Sequence, residues 1–237
     1  LSKTNDETLN QFLKMANLFV YSLLLVIAAS TYASAIQSKS YVVSVTGTDG
    51  NVVGYGALIA ENFVLTTAQP LAFYDPAQLV VTVNGVQQIP IAAHSFDPKF
   101  DFVTMENNVG LLKLAEPVQA DYIQLANAQP ANGASAVVYS LNASSDLLSV
   151  PISLLSTKVC ASDEYGWSAD EIFNTMVCGL LKNNDSCVPR YGSPVVSNDK
   201  LVGLTSWGGC GNNGKAAVFT DVVSLLSWIN QTKQNLE

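Results

Sequence analysis

The chain has 237 residues, and 49% of them are hydrophobic, so it can bury a core of the size that a stable domain needs. It carries 11 Lys and Arg against 19 Asp and Glu, which gives a formal net charge of −8. An acidic chain of this kind is not expected to bind nucleic acid or anionic lipid, and its partners should be neutral or basic.

The first 35 residues have the features of a processed leader. Residues 1–14 are polar and aperiodic, and we expect them to be absent from the mature protein. From Met15 an apolar run over residues 18–29 is too short to span a bilayer, and it ends in small residues of the A-x-A kind. The pattern predicts a signal peptide over residues 15–35 and a secreted, extracellular domain over residues 36–237, with no membrane association after cleavage. The alternative, a membrane anchor, is disfavoured by the shortness of the run.

The mature region consists of short β-branched runs separated by turn residues. Hairpins are indicated at Thr48–Asn51 and at Asn84-Gly85. Repeated strands without helical periods between them predict an all-β sandwich or barrel. Only the end differs, because an apolar stripe from Val222 to Ile229 predicts a helix with Asp221 as its N-cap. The predicted strands are YVVSV, GALIA, FVLTTA, QLVVTV, VGLLKL, ASAVVYS, SPVVS, KLVGLTSW and AAVFTDV.

Cysteines and glycosylation triplets agree with an extracellular location. Four cysteines in the last third of a secreted chain imply disulfides, and four cysteines allow three pairings. The acceptor triplet for N-glycosylation occurs three times, at Asn142, Asn184 and Asn230.

Five segments, in their order and spacing, resemble the trypsin/chymotrypsin serine protease family. They are GALIAENFVLTTAQP, NNVGLLKL, DSCVPRYGSPVV, GLTSWGGCG and AAVFTDVVSLLSWI, and the likeness extends from Ser40 to Gln231. The resemblance implies two six-stranded antiparallel Greek-key barrels with a cleft between them, followed by a C-terminal helix. It also implies two disulfides, Cys160–Cys178 and Cys187–Cys210.

All three catalytic positions of the family are replaced. Gln69 stands where the family has its general-base histidine, and a carboxamide cannot take up a proton near neutral pH. Asn108 stands where the family has the aspartate that orients this base, and that change alone lowers turnover about ten-thousandfold. Tyr191 stands at the serine nucleophile. The resemblance therefore implies a degenerate triad.

The loop before Tyr191 departs from the family at two further positions. Pro189 replaces the glycine whose N–H stabilises the oxyanion, and proline has no N–H to donate. Arg190 replaces the aspartate that pairs with the new N-terminus on activation. An unpaired guanidinium buried there would be strongly destabilising, so Arg190 should either turn outward or pair with Asp185 in the former specificity pocket.

Part of the family's recognition apparatus remains. Asp185 matches the aspartate that favours Lys or Arg substrates, and Ser206, Trp207 and Gly208 match the wall that pairs with the substrate backbone. Ala217 replaces a glycine of the same pocket and should narrow it. Asp185 is either a recognition residue or a relic of the ancestral enzyme.

No other catalyst is indicated. The single histidine, His94, matches a surface loop of the family, and we expect it to be solvated there. Together with cysteines that are taken up in disulfides, it leaves no ligand set for zinc, and we expect no metal and no cofactor.

We therefore expect a secreted, non-catalytic serine protease homologue that binds another secreted protein. Similar inactive homologues act as protease cofactors, as decoys, or as inhibitors of glycoside hydrolases. Two alternatives stay open: an active secreted trypsin-like endopeptidase, as the fold alone would suggest, and a structural or storage glycoprotein.

Overall fold

The computed structural model describes residues 39–181, 190–208 and 215–237. Several sequence-based predictions therefore lie outside the described residues: the signal peptide, Asn184, Asp185, Cys187, Pro189 and Cys210. Within the described ranges, no helix has the length and apolar character needed to cross a bilayer.

The first half of the described chain forms a closed six-stranded antiparallel barrel with the strand order β1-β2-β3-β6-β5-β4. Its core consists of the inward-facing apolar residues of these strands, among them Val43, Leu58 and Leu111. Asn84 and Gly85 both have positive φ in the turn between β4 and β5, which confirms that hairpin. The strands are β1 Val42–Gly47, β2 Val52–Ala60, β3 Phe63–Thr66, β4 Leu79–Val83, β5 Gln87–Phe96 and β6 Gly110–Leu114.

The second half forms another barrel, with the order β11-β8-β9-β10-β13-β12 and closure through the pairing of β11 with β12. A short seventh strand, β7, adds in parallel to β12 at the edge. The predicted architecture of two six-stranded antiparallel barrels is thus confirmed. The strands are β7 Gln124–Leu125, β8 Ser135–Leu141, β9 Leu147–Leu155, β10 Met176–Leu181, β11 Pro194–Ser197, β12 Lys200–Trp207 and β13 Ala217–Asp221.

The described ranges contain three α-helices, which are short or terminal: α1 Ala68–Leu71, α2 Thr157–Cys160 and α3 Leu226–Leu236. Single 3₁₀ turns lie at Pro76–Gln78 and Asp163–Tyr165. A disulfide joins Cys160 of α2 to Cys178 of β10, which is one of the two pairs that the resemblance implies. A loop of this length contributes about 3 kcal/mol in the chain-entropy account of disulfides.

The C-terminal helix is present, but it begins later than the sequence indicated. Asp221 ends β13, and its Oδ1 accepts hydrogen bonds from the N–H groups of Val223 and Ser224, so it caps the turn before the helix. The prediction that Asp221 is the helix N-cap is therefore wrong. Its carboxylate is buried, and burial raises the pKa of this group above its usual value.

Candidate functional site

Gln69, Asn108 and Ser206 meet between the two barrels. Helix α1 directly follows β3 and orients the backbone N–H of Gln69 toward Asn108 Oδ1, at 3.0 Å. Asn108 Nδ2 donates to Ser206 Oγ on β12, at 2.8 Å. The orientation of the amide follows from its neighbours, because the N–H of Gln69 requires an acceptor and only the oxygen of Asn108 can supply one.

Asn108 is held from both barrels. It is 1% exposed and immediately precedes β6 of the first barrel. Its carbonyl accepts from Thr220 Oγ1 of the second barrel at 2.7 Å. The neighbouring Asn107, which has φ of 56°, donates its N–H to Thr175 Oγ1 at 3.0 Å. Asn108 thus occupies a fixed, buried position where the two barrels meet.

The loop that follows Arg190 is anchored to both barrels through its backbone. Tyr55 of β2 donates its N–H to the carbonyl of Tyr191 at 2.9 Å, and Gly192 donates to the carbonyl of Thr205 on β12 at 2.8 Å. Gly192 has φ of +79°, and a Cβ added to it would lie 2.0 Å from the carbonyl oxygen of Tyr55. Only glycine fits here, so this part of the loop has one specific backbone conformation.

Among the described residues of this site, Gln69, Asn108 and Tyr191 supply no side chain that accepts a proton at neutral pH. Gln69 and Asn108 are amides, and the side chain of Tyr191 is partly exposed, at 43%. Gln69 Oε1 is buried without a hydrogen-bond partner in the part of the chain that the structure describes. The arrangement can therefore accept and donate hydrogen bonds, but it cannot deprotonate a hydroxyl group.

His94 does not take part in the site, and its predicted place in a surface loop is wrong. It lies within β5, because that strand continues to pair with β6 and sets His94 opposite Leu112. Its Nε2 lies 2.8 Å from the carbonyl oxygen of Tyr74, so this nitrogen carries the proton and donates it. Among the described residues, no cluster of His, Cys, Asp and Glu side chains could hold a metal ion.

The pairing with Asp185, which lies outside the described residues, stays a prediction for Arg190. Its side chain is exposed and lines a groove of about 430 Å³ together with Ser44, Tyr55, Ser140 and Leu148. The described residues give it no hydrogen-bond or ion-pair partner. Tyr55, which the sequence analysis did not single out, is buried, and its hydroxyl donates to the carbonyl of Leu141 at 3.0 Å. Its only sequence signal is an aromatic residue between two glycines in β2.

The remaining pocket residues lie on or next to β12 and β13. Ser206 and Ala217 are buried, and Gly208 has φ of +72°. The ring of Trp207 packs edge-on against Trp167, with 4.8 Å between the ring centroids. Trp167 was not predicted from the sequence. The width of the pocket depends on Asp185, which lies outside the described residues, and the narrowing by Ala217 therefore stays a prediction.

Two of the predicted glycosylation positions can be located on the surface. Asn142 lies in the turn between β8 and β9, and Asn230 lies on α3, and both side chains are exposed. This exposure is compatible with a glycan but does not establish one.

Comparison with known proteins agrees with this architecture. Residues 29–229 match the family described as Trypsin. The chain is 34% identical over 201 residues to Trypsin of Sarcophaga bullata, covering 76% of this chain and 79% of that protein. It is 33% identical over 223 residues to Trypsin theta of Drosophila erecta, covering 86% and 85%. A structure of kallikrein-related peptidase 10 in complex with Zn²⁺ superimposes with a TM-score of 0.72 at 28% identity, covering 84% of this chain and 97% of that one. The chain therefore belongs to the trypsin family.

Proposed function

We propose that this protein is a catalytically inactive, secreted member of the trypsin family that acts by binding another protein, as a cofactor, a decoy or an inhibitor. One observation carries the proposal. The resemblance implies that Gln69 and Asn108 hold the positions of the family's base and its orienting carboxylate, and the hydrogen bond from the N–H of Gln69 to Asn108 Oδ1 supports their pairing, although both side chains are amides. The positions have been kept while their proton-transfer chemistry has been lost.

The missing chemistry cannot be supplied by the nucleophile position. A phenol such as Tyr191 has an ordinary pKa of about 10, so at neutral pH it needs a base to become a nucleophile. The base position holds Gln69, which cannot accept the proton. The resemblance also implies that Pro189 replaces a glycine whose N–H stabilises the oxyanion. Loss of one such donor lowers turnover about a hundredfold to a thousandfold.

Replacement groups nearby do not restore the chemistry. Ser193, two residues after Tyr191, is buried, and its hydroxyl donates to Ser140 Oγ at 3.1 Å. His94 is engaged by a backbone carbonyl in the first barrel. Within the described residues, a serine with an adjacent base is therefore not found near the loop, which supports loss of catalysis rather than its relocation.

A binding role is supported by the attachment of the loops around the site to both barrels. The cleft loops remain tied to both barrels by the hydrogen bonds of Tyr55, Gly192 and Asn108. A rigid scaffold that presents loops is the usual basis of recognition when the catalytic residues are gone. Secretion is proposed from the predicted signal peptide, and a mature N-terminus at Ile36 in protein recovered from culture medium would support it.

The decisive experiment measures catalysis directly. We would incubate the secreted protein with fluorogenic amides of arginine and lysine and with a fluorophosphonate probe, using an active trypsin as the positive control. We expect neither turnover nor labelling, because no side chain at the site can activate a nucleophile. Stoichiometric labelling of any serine, or turnover that a trypsin inhibitor abolishes, would instead identify an active endopeptidase.

A further inference from the structure

An exposed cluster of apolar side chains lies on two loops of the first barrel, on the same loops that lead to Gln69 and Asn108. It consists of the exposed residues Phe73, Phe102 and Val103 together with the half-buried Phe100, and it is called the aromatic patch below. The rings of Phe73 and Phe102 have centroids 5.4 Å apart, and those of Phe100 and Phe102 are 4.6 Å apart. Phe73 lies just after α1, and the other three residues precede β6, so both parts of the patch are close in sequence to Gln69 and Asn108.

The patch is open to solvent rather than part of a core. Phe73 is 70% exposed, Phe102 is 45% exposed and Val103 is 93% exposed. Aromatic rings in mutual contact but exposed to water leave a contiguous apolar surface uncovered, and such surfaces on soluble proteins commonly mark interaction sites. Single exposed apolar residues would need no such explanation.

The loop that carries Phe102 and Val103 is held in a defined conformation. Asp101 Oδ1 accepts the N–H groups of Val103 at 2.7 Å and of Thr104 at 2.9 Å. The N–H of Met105 donates to the carbonyl of Asp101 at 2.8 Å, and Met105 takes a φ of 59°. The apolar side chains are therefore presented by a pre-organised loop, which reduces the entropy lost when a partner binds.

The charges on these loops limit what can cover the patch. Three carboxylates that are not buried, Asp75, Asp101 and Glu106, lie on the two loops with one cation, Lys99, whereas Asp97 is buried. Asp75 and Asp101 are exposed, and the whole chain has a net charge of −8. An anionic membrane would be repelled, and a second copy of the chain would bring like charges together. A partner with cationic groups around an apolar side chain would be attracted, and its guanidinium groups could also stack on the rings.

We propose that the aromatic patch is the docking surface for a second protein, one that presents an apolar side chain flanked by arginine or lysine. This inference rests on the proposed function in assigning the protein a binding role, and it supplies the surface and the chemistry of the partner. The apolar anchor packs on Phe73 and Phe102, and its basic neighbours lie near Asp75 and Asp101.

The test uses the full secreted chain and three synthetic peptides as probes. The first peptide has a central leucine with two arginines on each side, the second replaces the arginines with glutamates, and the third replaces the leucine with serine. We expect the first peptide to bind at least about tenfold more tightly than either of the others, as an interface with an apolar anchor and charge complementarity requires. Its affinity should fall as the salt concentration rises.

The double variant Phe73→Ser/Phe102→Ser should weaken binding of the first peptide about tenfold or more. Val86→Ser is the matched control, because Val86 is an 84% exposed apolar residue on another loop of the same barrel, and it should leave binding unchanged. Denaturation midpoints of both variants close to the wild type would show that folding is intact. If the double variant does not fold, Val103→Glu tests the same surface. Its added carboxylate should repel the second peptide, so the ratio of the affinities for the first and second peptides should increase.

Three outcomes would overturn the proposal: equal binding of all three peptides, unchanged binding by the folded double variant, or no peptide binding at all. Loss of vesicle co-sedimentation or of self-association in the double variant would assign the patch to lipid or to a second copy and would also overturn it. The activity assay gives a separate readout. An active enzyme that binds the first peptide through the patch would refute only the inactivity, and an inactive protein that fails to bind would refute only the docking surface.

Discussion

Gly192 allows the backbone of the former nucleophile loop to be tested separately from its chemistry. In Gly192→Ala, the new Cβ would lie 2.0 Å from the carbonyl oxygen of Tyr55 at a backbone φ of +79°. The left-handed conformation costs a residue with a Cβ about 1–2 kcal/mol. To relieve the clash, the loop must move away from β2, which breaks the hydrogen bond between Tyr55 and Tyr191. Loss of such a hydrogen bond costs about another 1 kcal/mol, and the loss of packing between the loop and β2 adds to this. The backbone strain and the lost hydrogen bond together cost about 2–3 kcal/mol, and we expect the free energy of unfolding to fall by at least this amount.

The measurement is urea denaturation with linear extrapolation to water, and Gly50→Ala is the matched control. Gly50 has φ of +86° in the turn between β1 and β2, and a Cβ added there would meet no atom within 4 Å. The control therefore contains the backbone strain without the clash, and it should lose only about 1–2 kcal/mol. Equal losses in the two variants would show that the loop relaxes freely around Ala, and that its conformation is not fixed by contact with β2.

Three further predictions concern charged and catalytic positions. Burial raises the pKa of Asp221 in the folded state, so the folded protein binds this proton more tightly than the unfolded chain. The contribution of Asp221 to the free energy of unfolding therefore falls as the pH rises above about 3.9, the ordinary pKa of an Asp side chain in the unfolded chain. In denaturation measured at several pH values, the free energy of unfolding of Asp221→Asn should rise relative to that of the wild type as the pH increases from about 3.9 to 7. A difference between the two proteins that does not change with pH would contradict the raised pKa of Asp221. Arg190→Ala should change the free energy of unfolding by less than about 0.5 kcal/mol, because the side chain is exposed and unpaired among the described residues. A loss above about 1.5 kcal/mol in the same assay would show that Arg190 has a partner. The triple variant Gln69→His, Asn108→Asp, Tyr191→Ser should hydrolyse amides at least about a hundredfold more slowly than an active trypsin, because Pro189 still replaces the oxyanion donor. Near-normal turnover would mean that this loop is wrongly aligned with the nucleophile loop of the family.

The strands and the all-β class could be predicted from the sequence because their signals are local, whereas the arrangement in two barrels followed only from the resemblance to the family. Asn84-Gly85 favours the tight turn wherever it occurs, and the short β-branched runs around it have few other ways to bury their apolar faces. Asp221 misled the prediction of the helix start because a carboxylate before an apolar stripe caps a turn and a helix by the same hydrogen bonds. Which of the two forms depends on tertiary packing.

The site could be predicted only in part. The identities of Gln69 and Asn108 follow from the resemblance, but the exposure of the Arg190 side chain does not, because the sequence left two ways to avoid an unpaired buried charge. The aromatic patch was also missed. Phe73 and Phe102 are thirty residues apart in sequence, and apolar residues are expected to be buried until the fold shows which of them have no core to join.

The pairing of Gln69 with Asn108 has an evolutionary consequence. Both hydrogen-bond partners of the Asn108 side chain, the Gln69 N–H and the Ser206 hydroxyl, are electrically neutral. A lineage that restored the carboxylate first would place a negative charge in a buried position without a cation to balance it, at a loss of several kcal/mol. A lineage that restored the histidine first would obtain a base that no carboxylate orients, and selection would have little activity to act on. Neither single step toward a His–Asp pair is favoured, so the proposed loss of catalysis would be difficult to reverse one residue at a time.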